Sequence, residues 1–430
     1  MAVSGGPDSM AMLYLFAELR KSLGLYLETV HLNHHIREEE ADLDAQFVEH
    51  HCSLLNVSFK LFHFRIPDFA KKNKISIETA GHRIRHHLFG RYAAAKKFDY
   101  SAFAHTANDQ AETVFMNLMR GAGLKGLSGI PFKRGSIIRP LLSFYRKEIM
   151  KYLNETELPY RIDSSNFDSK YQRNLIRSEL FPLLEEKMNR RFQANLVRTA
   201  LIFQDEEKWF EELISPHFIK RFHYLGYGVY ELEIKSGEFA PLLERRMLRK
   251  FILAAEKNLE GVGLEHIEKM REILDKKTGK QFLFSRIVIE KTNKGVALSR
   301  TFKKIAVSTP VSIPGEVFVK NLRFIFKTEL IPIPNSGFVR KNFLDFERLL
   351  PPFYLRFRQE GDWFHQPGTP GRKKLQDYFV DQKIPRALRD RIPLFTANNS
   401  IVWIGGFAVS EKALINQQTK KLVRISLSHA

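Results

Sequence analysis

The sequence of 430 residues holds a single cysteine, Cys52. One thiol cannot close an intrachain disulfide and cannot build a four-cysteine zinc site. The chain also lacks any uninterrupted apolar run of the ~18 residues that a membrane span needs. No secretory leader is expected, because Met1 runs directly into a glycine-rich segment. Together these absences predict a cytoplasmic location with no membrane partner. Internal repeats and low-complexity tracts are absent too. Acidic residues are in deficit, with 48 Asp+Glu against 68 Lys+Arg, a formal net charge of +20. Such an excess favours a polyanionic partner, since each neutralised phosphate releases counterions. The plainer alternative is that the surplus serves solubility.

What is present is ample for folded domains. The hydrophobic fraction is 44% over a length that suits two or three cores. Over residues 1–160, short apolar runs at 26–32, 57–66 and 100–104 read as strands. Helix-like stretches at 10–23, 41–55 and 77–97 alternate with them. Such βαβα alternation predicts a parallel sheet with helices on both faces and ligands at the carboxyl ends of the strands. Residues 172–275 read mostly as helix, for example 245–259 and 264–274, followed by strand candidates at 280–290 and 295–299. Pro310, Pro314, Pro332 and Pro334 suggest a linker, and the last hundred or so residues mix short strands with one helix at 374–381. The expected architecture is therefore an α/β, doubly wound parallel-sheet domain over 1–200, including a linker helix. A mainly helical, substrate-binding domain over 201–305 and a small α+β C-terminal domain over 330–430 would follow.

Two segments carry chemistry. The first is Ser4-Gly5-Gly6-Pro7-Asp8-Ser9, leading into an apolar helix. Glycines let the backbone approach phosphate oxygens, and the N–H groups of a following helix bind anions. The loop lacks the Gly-Lys-Ser/Thr ending of the common P-loop, so no lysine reaches the terminal phosphates. By itself it is also good turn chemistry. The second is His105-Thr106-Ala107-Asn108-Asp109-Gln110-Ala111-Glu112-Thr113, which follows the strand at 100–104 and opens a helix. A carboxylate placed there, beside a phosphate loop, suits Mg²⁺. Asp109 and Glu112 are also spaced as helix-start residues.

Read together, these segments resemble the PP-loop of the N-type ATP pyrophosphatases, which split ATP into AMP and pyrophosphate. Further stretches narrow the resemblance to the tRNA(Ile)-lysidine synthetase family: His31-Leu32-Asn33-His34-His35-Ile36-Arg37, Arg120-Gly121-Ala122-Gly123-Leu124-Lys125-Gly126-Leu127 and Arg139-Pro140-Leu141-Leu142. Asp163-Ser164-Ser165-Asn166 and Arg173-Asn174-Leu175-Ile176-Arg177 continue it. Gly361-Asp362-Trp363-Phe364, Lys373-Lys374-Leu375-Gln376-Asp377-Tyr378-Phe379 and Lys383-Ile384-Pro385 resemble the family's C-terminal domain. The chain departs from the pattern twice. Only Met1–Val3 precede the loop where the family has a longer first strand, so either the start lies upstream or nucleotide binding is weakened. The family's Ala-Arg-x-x-Arg-Tyr segment reads Gly81-His82-Arg83-Ile84-Arg85-His86, which keeps Arg85 alone in register.

The resemblance implies the following reaction. The wobble cytidine of an isoleucine tRNA with a CAU anticodon attacks the α-phosphate of ATP through its C2 oxygen, and pyrophosphate leaves. The side-chain amine of L-lysine then attacks C2 and expels AMP. Ser4, Gly5, Gly6, Pro7, Asp8 and Ser9 would hold the pyrophosphate, and Asp8 and Asp109 would hold Mg²⁺. Arg85 would stabilise phosphate or the adenylated base, and His105 would position phosphate or relay a proton. Arg173, Arg177, Arg372, Lys373 and Lys374 are the candidates for tRNA contact. Residues 356–391 hold nine Lys/Arg against five Asp/Glu, with Trp363, Phe364, Tyr378 and Phe379 interleaved. Such a mixture suits phosphate contact and base stacking, but at least two of the four aromatics are expected to be core. His82 and His86 have a zinc-binding spacing without a third ligand nearby; the run 81–97, with five Lys/Arg and no acid, better suits phosphate. Competing readings are another PP-loop ligase, a sulfur transferase (for which the lone Cys52 is poorly suited) and a non-catalytic tRNA-binding paralogue. The sequence is compatible with a homodimer but does not fix the oligomeric state.

Overall fold

The computed structural model describes residues 1–35, 38–162, 172–304, 308–333 and 340–429. Ile36, Arg37, Asp163-Ser164-Ser165-Asn166 and Pro334 fall outside them. The chain divides into two compact units, Met1–Glu211 and Glu212–Ala430.

The first unit runs α1 (Pro7–Leu19), β1 (Glu28–Asn33), α2 (Glu38–Leu54), β2 (Ser58–His63), α3 (Ile66–Asn73), α4 (Ile77–Ala95), β3 (Ser101–Ala102) and α5 (Ala107–Met119). After it come α6 (Leu124–Leu127), β4 (Lys133–Arg134), β5 (Ile137–Ile138), α7 (Arg146–Glu155), α8 (Gln172–Leu175), a π-helical turn, α9 (Phe181–Lys187) and α10 (Phe192–Arg221), which crosses into the second unit. β1 and β2 are parallel in register from Glu28↔Ser58 to Asn33↔His63. The extended segment at Ala2 lies between β1 and β3, bridging Val30 and Phe103 in parallel. β5 continues the sheet parallel to β3, and β4 closes its edge antiparallel. Apolar side chains explain the layers. Met10 and Leu13 of α1, Val48 and Cys52 of α2, and Ile149 and Leu153 of α7 form one core. Ile66 and Ala70 of α3 and Ala80, Ile84 and Phe89 of α4 form another, with Val30, Leu32 and Phe103 of the sheet side. Two helical layers on one parallel sheet make the unit doubly wound. Cys52 is wholly buried, and burial pushes its thiol pKa up, as suits a core residue.

The second unit begins with an antiparallel sheet of β6 (Phe222–Gly226), β7 (Val229–Glu233), β8 (Gln281–Phe284), β9 (Ile287–Lys291) and β10 (Gly295–Arg300), in the order β6-β7-β10-β9-β8. The helices expected in this stretch are α11 (Pro241–Glu256) and α12 (Leu264–Ile273), and they pack with Ile214 and Phe218 of α10 on one face of the sheet. The β6–β7 hairpin lies where helix was expected. Alternating Phe222, Tyr224 and Tyr230 around the turn at Gly226-Tyr227-Gly228 carried a period-two signal hidden in a helical neighbourhood. The proline-punctuated stretch is likewise not a linker. It contains β11 (Thr309–Pro310), β12 (Gly315–Val319) and β13 (Phe324–Pro332), with Pro310 and Pro332 at strand ends, where a missing N–H costs little.

The rest comprises β14 (Phe343–Asp345), β15 (Phe353–Arg356), β16 (Trp363–Phe364), β17 (Lys373–Lys374), α13 (Leu375–Asp381), α14 (Arg386–Arg389), β18 (Leu394–Ala397), β19 (Ser400–Ile404), β20 (Ala408–Val409) and β21 (Lys421–His429). Sheets β11-β15-β18-β19-β20 and β12-β13-β21-β14 enclose a core around Phe326, Phe395 and Trp403. Leu375, Phe379 and Leu388 of α13 and α14 join Val229 and Ala297 of the first sheet in one cluster. The buried Glu290 of β9 accepts the backbone N–H groups of Arg386 and Ala387 at 2.7 and 2.9 Å, capping α14 from the neighbouring sheet. The middle and C-terminal stretches thus share apolar and polar burial. No helix among the described residues is long and apolar enough to cross a membrane.

Candidate nucleotide site

Gly5 turns the chain out of the sheet at φ +94°, a backbone conformation that strains any residue with a Cβ. Gly6 is the N-cap of α1 and offers no capping side chain, and Pro7 starts the helix. The first N–H groups of α1 therefore lack a side-chain cap, the condition for anion binding. Ser9 Oγ donates to Gly6 O at 3.0 Å and accepts from Ser4 N at 3.1 Å, which rolls the loop over its own helix start. Two further anchors hold it. Arg161 N donates to Gly5 O at 3.0 Å while Arg161 Nε donates to Asp44 at 2.5 Å. Buried His31 donates from Nδ1 to Val3 O at 2.9 Å; burial lowers its pKa, so the ring is neutral with Nδ1 carrying the proton.

The loop borders a cavity of about 320 Å³ at the carboxyl ends of the parallel strands. Asp8 lies in its wall with Oδ1 buried and without a hydrogen-bond partner among the described residues. Burial is the main reason its pKa rises to about 6; Arg146 opposes the rise, and Asp109 adds to it. Asp109 is differently placed. It forms a capping box with Thr106, whose N–H and hydroxyl donate to Asp109 Oδ2 at 2.8 and 3.0 Å. Burial pushes the Asp109 pKa up, but Arg173, His105, the Thr106 N–H and Arg177 outweigh it and hold the carboxyl below its usual range. The helix-start role of Asp109 is thus real, and its partner is Thr106.

Glu112 has a different task. It is 1% exposed and receives Arg173 Nε and Arg177 Nε at 2.6 Å each, one on each oxygen. Both arginines also approach Asp109 Oδ1 at 3.4 Å. Glu112 lies one turn beyond Asp109 on α5, while Arg173 and Arg177 are four apart, on α8 and the turn after it. Matched spacings put two acids opposite two bases.

Aromatic rings line another part of the wall, beside Arg85. His86 stacks on Phe103 with centroids 4.8 Å apart and planes at 17°, and the His82 ring lies 4.2 Å from that of His86. Burial, reinforced by neighbouring cations, lowers the pKa of His86 to about 4. His105 also falls to about 4, from burial against the pull of Asp109, and its buried Nδ1 has no partner among the described residues. At neutral pH both rings are therefore uncharged.

The structure gathers most of the expected site residues. Ser4, Gly6, Pro7, Asp8, Ser9, Arg85, His105, Asp109, Arg173 and Arg177 all line the one cavity. Gly5 shapes the loop from behind it. Arg372, Lys373 and Lys374 lie in the second unit. There the Arg372 guanidinium sits 4.3 Å from the Trp363 ring centroid, and Lys373 Nζ pairs with Asp381 at 2.6 Å. Lys374 is the exposed N-cap of α13. Phe364, Tyr378 and Phe379 are buried, leaving Trp363 as the half-exposed aromatic of the four. Sequence reasoning missed Arg146, Arg161 and Asp44, which also line the cavity, and the clamp made by Glu112. Only the last had a legible signal, the paired spacings. Among the described residues no three His, Cys, Asp or Glu side chains converge to hold a metal ion by themselves.

A PP-loop domain family model matches residues 1–184, and the TilS substrate C-terminal domain matches residues 353–427. A tRNA(Ile)-lysidine synthase of Caldanaerobacter subterraneus subsp. tengcongensis is 34% identical over 440 residues, covering 99% of this chain and 92% of the relative. Another, of Clostridium tetani, is 31% identical and covers 99% and 93%. A third, of Symbiobacterium thermophilum, is 32% identical over 99% and 93%. With a loop built for anions, two carboxylates across one cavity and relatives matched along nearly their full length, the chain belongs to the tRNA(Ile)-lysidine synthase family.

Proposed function

We propose that this protein is an ATP-dependent carbon–nitrogen ligase that joins L-lysine to C2 of the wobble cytidine in CAU-anticodon isoleucine tRNA. The observation that carries the reading is the single cavity in which an open helix start, Asp8 and Asp109 face one another. In the first step the cytidine C2 oxygen bonds to the α-phosphorus of ATP, and the bond to the β-phosphate oxygen breaks with its electron pair leaving on pyrophosphate. In the second, the lysine amine bonds to C2 and AMP departs. The Ser4–Ser9 loop receives the pyrophosphate. Asp8 and Asp109 would hold Mg²⁺, and Asp8 fits this role because its buried Oδ1 has no donor among the described residues. Held there, the cation would supply charge withdrawal from the phosphates. Two carboxylates would suffice, since Mg²⁺ is commonly bound through one or two carboxylates plus substrate phosphates. Arg85 faces the same cavity and stabilises phosphate or the adenylated base, and neutral His105 offers a hydrogen bond or a proton relay rather than a positive charge.

The direct test incubates the protein with ATP, Mg²⁺, lysine and the tRNA, then digests the RNA for mass spectrometry. A cytidine heavier by lysine less water is expected. AMP without that adduct would leave the PP-loop chemistry standing and remove the lysine.

The second unit contacts tRNA, and Arg372 stacked over Trp363 is its best-formed base or phosphate contact. Deleting the C-terminal stretch would strip α13 and α14 from the core they share with Val229 and Ala297, so point changes are the cleaner probe. Replacing Arg372 by alanine is expected to weaken tRNA binding and to lower the slope of log affinity against log salt by about one phosphate's worth. Filter binding across a salt series checks this, with ATP affinity as the control that should not move.

A further inference from the structure

Three helix starts open onto the nucleotide cavity, bringing Asp8 near the start of α1, Asp109 near that of α5 and Arg146 at the first position of α7. Helix N-termini carry partial positive charge, so their convergence favours an anion. The cavity's arginines differ in how they are engaged. Arg173 and Arg177 are held by Glu112 and Asp109, and Arg161 by Asp44. Half-buried Arg146 has no hydrogen bond or ion pair on its guanidinium among the described residues. Its backbone, by contrast, is fixed. Arg146 N donates to Asn108 Oδ1 at 2.9 Å, Asn108 Nδ2 donates to Gln193 Oε1 at 2.8 Å, and Ala107 N donates to Phe144 O at 2.9 Å. This strut ties the start of α7 to that of α5 and to α10, so the stem is positioned while the head stays available. Among the cations acting on Asp8, Arg146 acts most strongly.

From this geometry we infer that Arg146 is a catalytic residue that grips the β- and γ-phosphates and stabilises them as they leave as pyrophosphate. The inference rests on the ATP-cleaving reading above. It places the arginine beside the Ser4–Ser9 loop, where the bond between the α-phosphorus and the bridging oxygen breaks and the departing group gains negative charge. A planar guanidinium binds two phosphate oxygens at once, which a lysine cannot match. Among the described residues this half-buried fork has no ion pair or hydrogen bond whose structural task would compete with this one.

The experiment compares wild type, Arg146→Ala and Arg146→Lys as full chains. Magnesium pyrophosphate binding is measured by calorimetry, and kcat and KM for ATP and lysine are measured with tRNA present. Arg146→Ala is expected to weaken pyrophosphate binding by ~10-fold or more and to lower kcat/KM for ATP by ~10²–10³. Arg146→Lys should recover part of both, the KM for lysine should stay within about two-fold in either variant, and melting temperatures should match wild type. Pyrophosphate affinity unchanged in Arg146→Ala, or a loss confined to the lysine KM, would overturn the assignment. Calorimetry keeps the two readings apart: a wild type that binds pyrophosphate through Arg146 but attaches no lysine refutes the lysine ligation and leaves Arg146 in place.

Discussion

Asp8→Asn is expected to abolish ligation and, at pH 8, to raise the thermal stability of the ligand-free protein. On the proposed function Asp8 is a Mg²⁺-holding carboxylate, and losing a group that absorbs charge in the transition state commonly costs ~10²–10³ in rate. Stability rises because the same carboxylate is buried with one oxygen unpartnered and its pKa raised from 3.8 to about 6. A folded-state pKa above the unfolded one means that the folded protein holds the proton more tightly. The contribution of Asp8 to stability is therefore full below about pH 4 and is lost as pH rises through about 6. Above that, the ionised Asp8 costs the ligand-free fold on the order of 2–3 kcal/mol. Melting curves of wild type and Asp8→Asn should coincide near pH 4 and separate by pH 8, with the variant higher. A variant less stable than wild type at pH 8 would show that Asp8 is a structural residue. Near-normal turnover at saturating ATP and Mg²⁺ would remove its catalytic role. Asp109→Ala should lose a comparable amount of activity but behave oppositely in stability, because Asp109 caps α5 and has a lowered pKa.

Glu112→Ala is expected to destabilise the first unit severely. Glu112 is almost wholly buried and accepts a 2.6 Å bond from each of two arginines. Removing one side of a buried ion pair leaves the other side's charge uncompensated, which typically costs 3–5 kcal/mol. Arg173 and Arg177 are 28% and 33% exposed and keep a longer contact with Asp109, so ~3 kcal/mol is the expected loss. For a unit of this size that lowers the melting temperature by roughly 6–12 °C. Removing the arginines as well, in Glu112→Ala/Arg173→Ala/Arg177→Ala, should recover part of the loss, because the stranded charges go with them. A loss below ~0.5 kcal/mol, the range of ordinary surface substitutions, would show that the clamp is not structural.

Much of the first unit was legible because its signals are local. Alternation of apolar runs with amphipathic stretches predicted β1, α2, β2 and α4 to within a few residues of 28–33, 38–54, 58–63 and 77–95. The same locality misled where periods compete. The β6–β7 hairpin lies in a helical neighbourhood that hides its period-two signal, and the strands around Pro310 and Pro332 carry a linker signal because proline marks strand ends as well as loops.

The site divides along the same line. The sequence by itself determined the loop chemistry: Gly5 where φ is +94°, Pro7 at a helix start, and the spacing of Asp109 and Glu112 on one helix. These depend on backbone sterics and on the helical repeat, which a few consecutive residues specify. Which side chains share the cavity was decided by the tertiary structure. Arg146 is 138 residues beyond Asp8, and Arg161 is 117 residues from its partner Asp44, so no local pattern joins them. Ionisation was decided there as well. Asp8 and Asp109 are the same residue type, each near the start of a helix, yet one is pushed up by burial with an orphaned oxygen and the other held down by Thr106 and two arginines. Desolvation and charge pairing act through space at a few ångströms, and only the folded chain sets those distances.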